Sequence, residues 1–389
     1  MSARFLQGFR VLELSQYIPG PYAALMLADL GADVIKVEPP GGDPMRMLGP
    51  DAAGGSSSFH AAMNGGKRIL RLDLKTAPGR ETLRRLLARA DVLVESYRPG
   101  VLDRLGFDRA SIRAACPDLV HCAITGFGQT GPLAGKASHD LGCMALAGGL
   151  AASGTAAQPV MTTPPVADFA AGLQASTTIM AALLGRARGG GGAYIDIGLT
   201  DAVLAWQSCL LSEALQRGPL PLRACLADNG GTACYNIYET ADGRFVTLAA
   251  DESKFWANFC RAVGRPDWIA RQADPLPQAA LIAELRALFA ARPLADWDAL
   301  LGAVDCCWQP VLEPAEVVRH PQVEARGLLR RTGPAGARVE VLYPAWIDGA
   351  PPAARPPHAE IDASAALAAW EAPPAAPAPT RSVPPRPEE

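Results

Sequence analysis

Between Arg10 and Thr125 the chain alternates short apolar runs with amphipathic stretches of helical length, an order few folds accept. Residues 11–14, VLEL, read as a short, mostly apolar strand, the turn SQYIPGP follows, and a helix is expected from about 21 to 30. Pro21 suits a first helical position and Gly31 a C-cap. Residues 32–38, ADVIKVE, read as a second strand. The grammar repeats with a strand over 69–74, a helix over 78–89, a strand over 91–96, short helices to 115 and a strand over 119–125. Such units demand parallel pairing through right-handed crossovers. The expected fold is α/β, with a Rossmann-like large domain whose open parallel sheet carries helices on both faces.

Residues 168–186 read as a long, nearly all-apolar, buried helix. A glycine turn, a strand over 193–198 and a helix from 201 to about 216 follow. After a Gly- and Pro-marked joint the texture changes. Residues 235–239 and 245–250 flank Asp242-Gly243, a hairpin signal, and helices are expected over 253–263, 278–291 and 294–301. At 389 residues the chain is long for one domain and suits two. The expected division is a large domain over 1–219, to which strands in 328–350 return, and a smaller α+β domain over 220–327. Residues 351–389, rich in Pro and Ala, read as a disordered tail.

The formal charge of −3 is spread along the chain without a basic block, so a nucleic-acid partner is not expected. The nine cysteines lack a CxxC spacing and read as reduced thiols. MSARFLQGF lacks the apolar run of a signal peptide, and no apolar stretch reaches about eighteen residues. A cytoplasmic protein without a membrane partner is expected. No cluster has metal-ligand spacing, so no metal is expected. Gly126-Phe127-Gly128-Gln129-Thr130-Gly131 is a literal GxGxxG after a strand, but Pro132 follows and no acidic residue lies about twenty positions on. The first unit ends on Glu38, where a ribose-binding acid would sit, but its turn lacks the necessary glycines. A nicotinamide cofactor is not expected.

Two residues invite proton-transfer chemistry. His139, one of five histidines, stands near a helix start after a small-residue loop. Asp168 opens the long helix, where Asp is a preferred N-cap. A carboxylate there would also lie beside free backbone N–H groups able to hold an enolate oxygen. Glu252 reads as a helix cap. Arg46 and Arg98 fall in turns after strand ends, where α/β proteins bind phosphates, and Lys67 and Arg104 lie in the same N-terminal region.

The segments VLELSQYIPGPYAALMLADLGADVIKVEPPGGDPMR, NGGKRILRLDLK, ADVLVESYRPGVLDRLG and GFGQTGP resemble the class III CoA-transferase and acyl-CoA racemase superfamily, over roughly residues 6–330. The resemblance implies a large and a small domain. It also implies an interlocked homodimer, with each active site between the large domain of one chain and the small domain of the other. An acyl-CoA thioester is the implied ligand, with Arg46, Lys67, Arg98, Arg104, Gly126 and Gly128 as its candidate contacts. Transferases of this type use an aspartate that becomes an aspartyl-CoA thioester, matched here by Asp168 in VADFAAG. The 2-methylacyl-CoA racemases, enzymes of lipid metabolism, add a histidine, matched by His139 in SHDLGCMALAGGL, and a glutamate, matched by Glu252 in AADESKF. EPPGGDPMR is closer to the transferases, and Gly142-Cys143 replaces the usual Asn-Tyr. The histidine points to a racemase that moves the proton at C2 between two bases through an enolate. The alternative is a CoA-transferase acting through Asp168.

Overall fold

The computed structural model describes residues 4–49, 57–218, 223–333 and 336–371. They form two compact units, one combining Met1–Cys143, Pro165–Val203 and Pro321–Glu389, the other Met144–Pro164 and Leu204–His320. The strands are β1 (Arg10–Leu14), β2 (Asp33–Glu38), β3 (Arg68–Arg71), β4 (Val92–Glu95), β5 (Val120–Thr125), β6 (Tyr194–Gly198), β7 (Tyr235–Glu239), β8 (Phe245–Ala249), β9 (Trp308–Pro310), β10 (Leu329–Thr332), β11 (Arg338–Val341) and β12 (Ala359–Ile361).

The first unit is built on a seven-stranded sheet in the order β12-β3-β2-β1-β4-β5-β6, with every neighbouring pair parallel. Its strands read as nearly continuous apolar runs because both faces are covered; Leu12, Ile35 and Ile69 are fully buried. The chain adds β2 and β3 on one side of β1, then returns to lay β4 on the other. The C-terminal ends of β1 and β4 therefore flank the topological switch point, where such sheets bind ligands.

The helix Val166–Ala187 packs on the helix Pro19–Asp29 and on β5 and β6. It is buried along one stripe through Ala167, Ala171, Ala175, Ile179 and Leu183, while Leu173 and Leu184 are exposed; the all-round burial expected of it is not found. By length and composition alone it is the one helix among the described residues able to span a bilayer. A Cβ at Gly172 would come within 2.7 Å of the Pro19 carbonyl oxygen, so this helix pair approaches as closely as it does only with glycine there.

The C-terminal segment corrects an expectation. Residues 359–361 form β12 against β3, and the helix Ala363–Glu371 buries Ala366, Leu367 and Trp370 in the core shared with Leu12, Leu83 and Leu93. Trp370 donates its indole N–H to Asp33 at 2.9 Å, and Arg355 pairs with both Asp29 oxygens at 2.5 and 2.6 Å. A Pro/Ala-rich stretch thus holds one short apolar stripe, enough to seat it; 372–389 of the expected tail lie outside the described residues. β10 and β11 pair antiparallel with each other in a two-stranded sheet of their own and belong to the first unit.

The second unit carries the antiparallel sheet β7-β8-β9, with the expected hairpin turning at Gly243, φ +72°. Its helices Ser253–Ala262, Ala279–Phe289 and Leu294–Leu301 enclose an aromatic core of Tyr238, Trp256, Phe259, Trp268, Phe289 and Trp297. Each of Trp256 and Trp297 donates its N–H to a backbone carbonyl, so burial leaves neither unsatisfied. Residues 144–164 and 204–218 belong with this unit, upstream of the boundary expected at 220.

Candidate active site

Both expected proton-transfer residues lie in the first unit, on segments joined by a third residue. β5 runs into the glycine turn, where the Gly126 carbonyl accepts from the Thr200 N–H at 3.1 Å and its hydroxyl at 3.0 Å. A Cβ on Gly126 would lie 2.9 Å from the Ser138 Cβ. The bare glycine therefore lets the segment carrying Ser138 and His139 settle against the strand end. Gly128 sits at φ +77° beside Asp196, whose carboxylate accepts from the next backbone N–H, that of Gln129. The glycines of this motif shape a turn and its packing, and no helix begins there.

His139 is exposed and immediately precedes the helix Asp140–Leu146. Its ring meets that of Tyr17 edge-to-face, with centroids 5.7 Å apart and planes at 89°. Asp140 turns the other way. Its Oδ1 accepts from the backbone N–H of Ala167 at 2.6 Å and of Asp168 at 3.2 Å, capping the helix Val166–Ala187. Asp168 is thus not the N-cap; Pro165 occupies that position and offers no side-chain cap. Asp140 supplies the cap from outside the helix. The same bonds take two of the N–H groups expected to hold an enolate oxygen, so that expectation fails for Ala167 and Asp168.

Asp168 is half-buried, and its carboxyl is pushed up to about 7 by burial first and by the nearby Asp140 carboxylate second. One residue, Asp140, therefore fixes the backbone beside His139 to the helix bearing Asp168 and also raises the proton affinity of Asp168. Sequence spacing contains no sign of this, because the cap comes from 27 and 28 residues away.

The expected cations divide into two sets. Lys67 is fully buried, donating to Glu13 at 2.8 Å, the Pro21 carbonyl at 2.8 Å and Asn64 at 3.1 Å, and burial pushes it down to about 8. It holds the inside of the sheet together and is closed to a phosphate. Arg46 is paired with Glu38 and Glu360, both at 2.7 Å. Arg98 and Arg104 are exposed. Arg104 lines a cavity of about 420 Å³ beyond the ends of β2, β3 and β4, together with Gln16, Lys75 and Tyr97. Lys75 was not singled out by the sequence; the signal available was its place just after a strand end. No group of metal-ligating side chains occurs among the described residues. Glu252 belongs to the second unit, at the N-cap position of Ser253–Ala262, exposed and making no cap bond with its side chain.

Comparison with known proteins narrows what this arrangement belongs to. The family model CoA-transferase family III matches residues 6–362. A succinate–glutarate CoA-transferase of Agrobacterium fabrum is 37% identical over 341 residues, covering 83% of this chain and 84% of that protein. The alpha-methylacyl-CoA racemase of Homo sapiens is 34% identical over 327 residues, covering 83% and 81%. The crystal structure of a CAIB/BAIF family protein from Brucella suis superposes with a TM-score of 0.78 at 32% identity, covering 92% of this chain and 97% of that one. The chain is a member of CoA-transferase family III.

Proposed function

We propose that this chain is an acyl-CoA racemase that inverts the α carbon of a 2-methylacyl-CoA thioester by two-base proton transfer. The observation that carries this reading is the Asp140 bridge, which joins the segment of His139 to the helix of Asp168. Inversion needs a base on each face of C2, one removing the proton while the other returns it. A carboxyl poised near 7 is competent both to accept and to donate, as a reaction running in both directions requires. Asp168 takes the proton from one enantiomer, His139 delivers one to the opposite face, and the roles exchange for the other enantiomer. Glu252 and a second copy of the chain enter the proposal through the family resemblance alone, and a cytoplasmic location through the cysteine pattern and the N-terminal sequence.

The second reading, a CoA-transferase working through an aspartyl-CoA thioester at Asp168, is favoured by the 37% identity to an enzyme of that name. One experiment separates the two. The pure protein is incubated with a 2-methylacyl-CoA in deuterium oxide without an acceptor acid. Deuterium wash-in at C2 with loss of optical activity is expected. No wash-in, with thioester formation from added carboxylic acids, would replace the racemase reading by the transferase. His139→Ala is expected to lower exchange by about 10²–10⁴-fold, the usual contribution of a positioned acid–base group.

The CoA moiety itself needs cations outside the reacting pair; Lys75 and Arg104, which line one cavity with Glu38 and Asp73 beyond the strand ends, stand where such sheets bind phosphates. Removing either charge is expected to raise KM for acyl-CoA about tenfold or more, as for loss of a charge-assisted hydrogen bond, with kcat unchanged. Steady-state kinetics of the two alanine variants check this. A fall in kcat instead would place these residues nearer the chemistry.

A further inference from the structure

Tyr17 presents a puzzle of conformation. Its φ is +62°, a left-handed backbone that side chains other than glycine rarely adopt, yet the side chain is 39% exposed and fills no core. Its hydroxyl has no hydrogen-bond partner among the described residues. Its ring meets that of His139 edge-to-face, with centroids 5.7 Å apart.

The loop holding Tyr17 is anchored from beneath by buried charge. Lys36 donates to the Ser15 carbonyl at 2.8 Å and to Glu13 at 2.9 Å, and pairs with Asp43 at 2.9 Å. The Ser15 hydroxyl donates to Glu13 at 2.8 Å, and the Gln16 N–H to the Ser96 hydroxyl at 3.2 Å. The Tyr17 N–H lies 3.5 Å from the Asp43 Oδ1. Glu13, Ser15, Lys36 and Asp43 are each at most 1% exposed. The loop also folds back tightly, since a Cβ on Gly20 would come within 2.3 Å of the Ser15 hydroxyl oxygen. A buried, fully bonded base thus carries a partly exposed ring, on left-handed backbone, against His139.

We propose that Tyr17 is a positioning residue for His139, its ring restricting the imidazole to the orientation used in proton transfer. This rests on the two-base reading given above. The buried Glu13–Lys36–Asp43 set holds the backbone in the left-handed conformation that aims the ring, and the ring in turn limits the rotamers open to an otherwise exposed histidine.

The test compares Tyr17→Gly and Tyr17→Phe with the wild type. Glycine adopts this φ freely, so Tyr17→Gly is expected to keep or raise Tm while removing the ring. Its deuterium exchange at C2 is expected to fall about 10²-fold in kcat, with KM for the acyl-CoA unchanged, as for misplacement of a reacting group. Tyr17→Phe keeps the ring and is expected to keep wild-type turnover. In the NMR spectrum, the ring protons of His139 are expected to show an aromatic shift in wild type and Tyr17→Phe and to lose it in Tyr17→Gly. Wild-type exchange undiminished in Tyr17→Gly overturns the positioning role alone. A Phe variant as impaired as the Gly variant also overturns it, by assigning the effect to the hydroxyl. A wild type that exchanges no deuterium sinks the racemase reading, and the positioning role with it.

Discussion

Asp168→Asn is expected to lose activity by about 10²–10⁴-fold and at the same time to gain stability above neutral pH. Both effects come from one cause. Burial and Asp140 raise the Asp168 carboxyl from its ordinary 3.8 to about 7, so the folded chain holds a proton that the unfolded chain has already released. Between those two values folding takes up a proton, and stability falls as pH rises through the window. Asparagine does not titrate. The variant should therefore unfold at a higher temperature than wild type at about pH 8, with the difference shrinking as pH falls through the window and vanishing below 3.8.

The kinetics follow from the same pair. In either direction Asp168 and His139 hold one proton between them, removed from one face and returned to the other, and the two enantiomers are equal in free energy. The kcat/KM values for both enantiomers are therefore expected to follow one and the same pH profile. Thermal melts and initial rates for each enantiomer from about pH 4 to 9 check the stability and the kinetic expectation. A variant no more stable than wild type at high pH would show that Asp168 is not held at a raised proton affinity. The trade of stability for activity expected here is the ordinary one for a site group kept in an unfavourable environment.

How much of this was legible in the sequence depends on the range of the interaction. The parallel sheet was legible because apolar runs and turn residues act within a few positions, and the paired strands from β1 to β6 follow from them. That Asp168 lies in the first turn of a helix was legible, but the source of its cap was not foreseen. Asp140 reaches it only after β5, the glycine turn and the loop beyond have folded. Lys67 was misread for a related reason. A lysine in NGGKR looks like a phosphate ligand beside a turn, and only the pairing of β1, β2 and β3 brings Glu13 to its side. The C-terminal helix was hidden by composition: its alanines and prolines outweighed the few apolar residues that seat it. Tyr17 gave no signal at all, since a positive φ at a tyrosine has no counterpart in local sequence.

Glu13→Gln is expected to be the most destabilising single change in the large sheet. Glu13 is fully buried between two ammonium groups, Lys36 at 2.9 Å and Lys67 at 2.8 Å. Burial alone would raise its carboxyl, but the two lysines outweigh that and hold it below its ordinary range. Glutamine keeps the shape but removes the charge, and turns an N–H donor toward one of the two cations. Lys36 then keeps Asp43, while the buried Lys67 loses the carboxylate it pairs with. Removing one partner from such a set costs about 3–5 kcal/mol, a large part of a typical folding free energy. The diagnostic is the double variant Glu13→Gln with Lys67→Met, which leaves Lys36 and Asp43 as a balanced pair. Its loss should be smaller than the sum of the single losses by up to about 3 kcal/mol, as for residues in one charge network. Some loss persists, because Asn64 and the Pro21 carbonyl give up a donor. Hydrogen exchange of the β1 and β2 amides reads the first unit directly. Strict additivity of the two changes would mean that Glu13 and Lys67 do not act as one set.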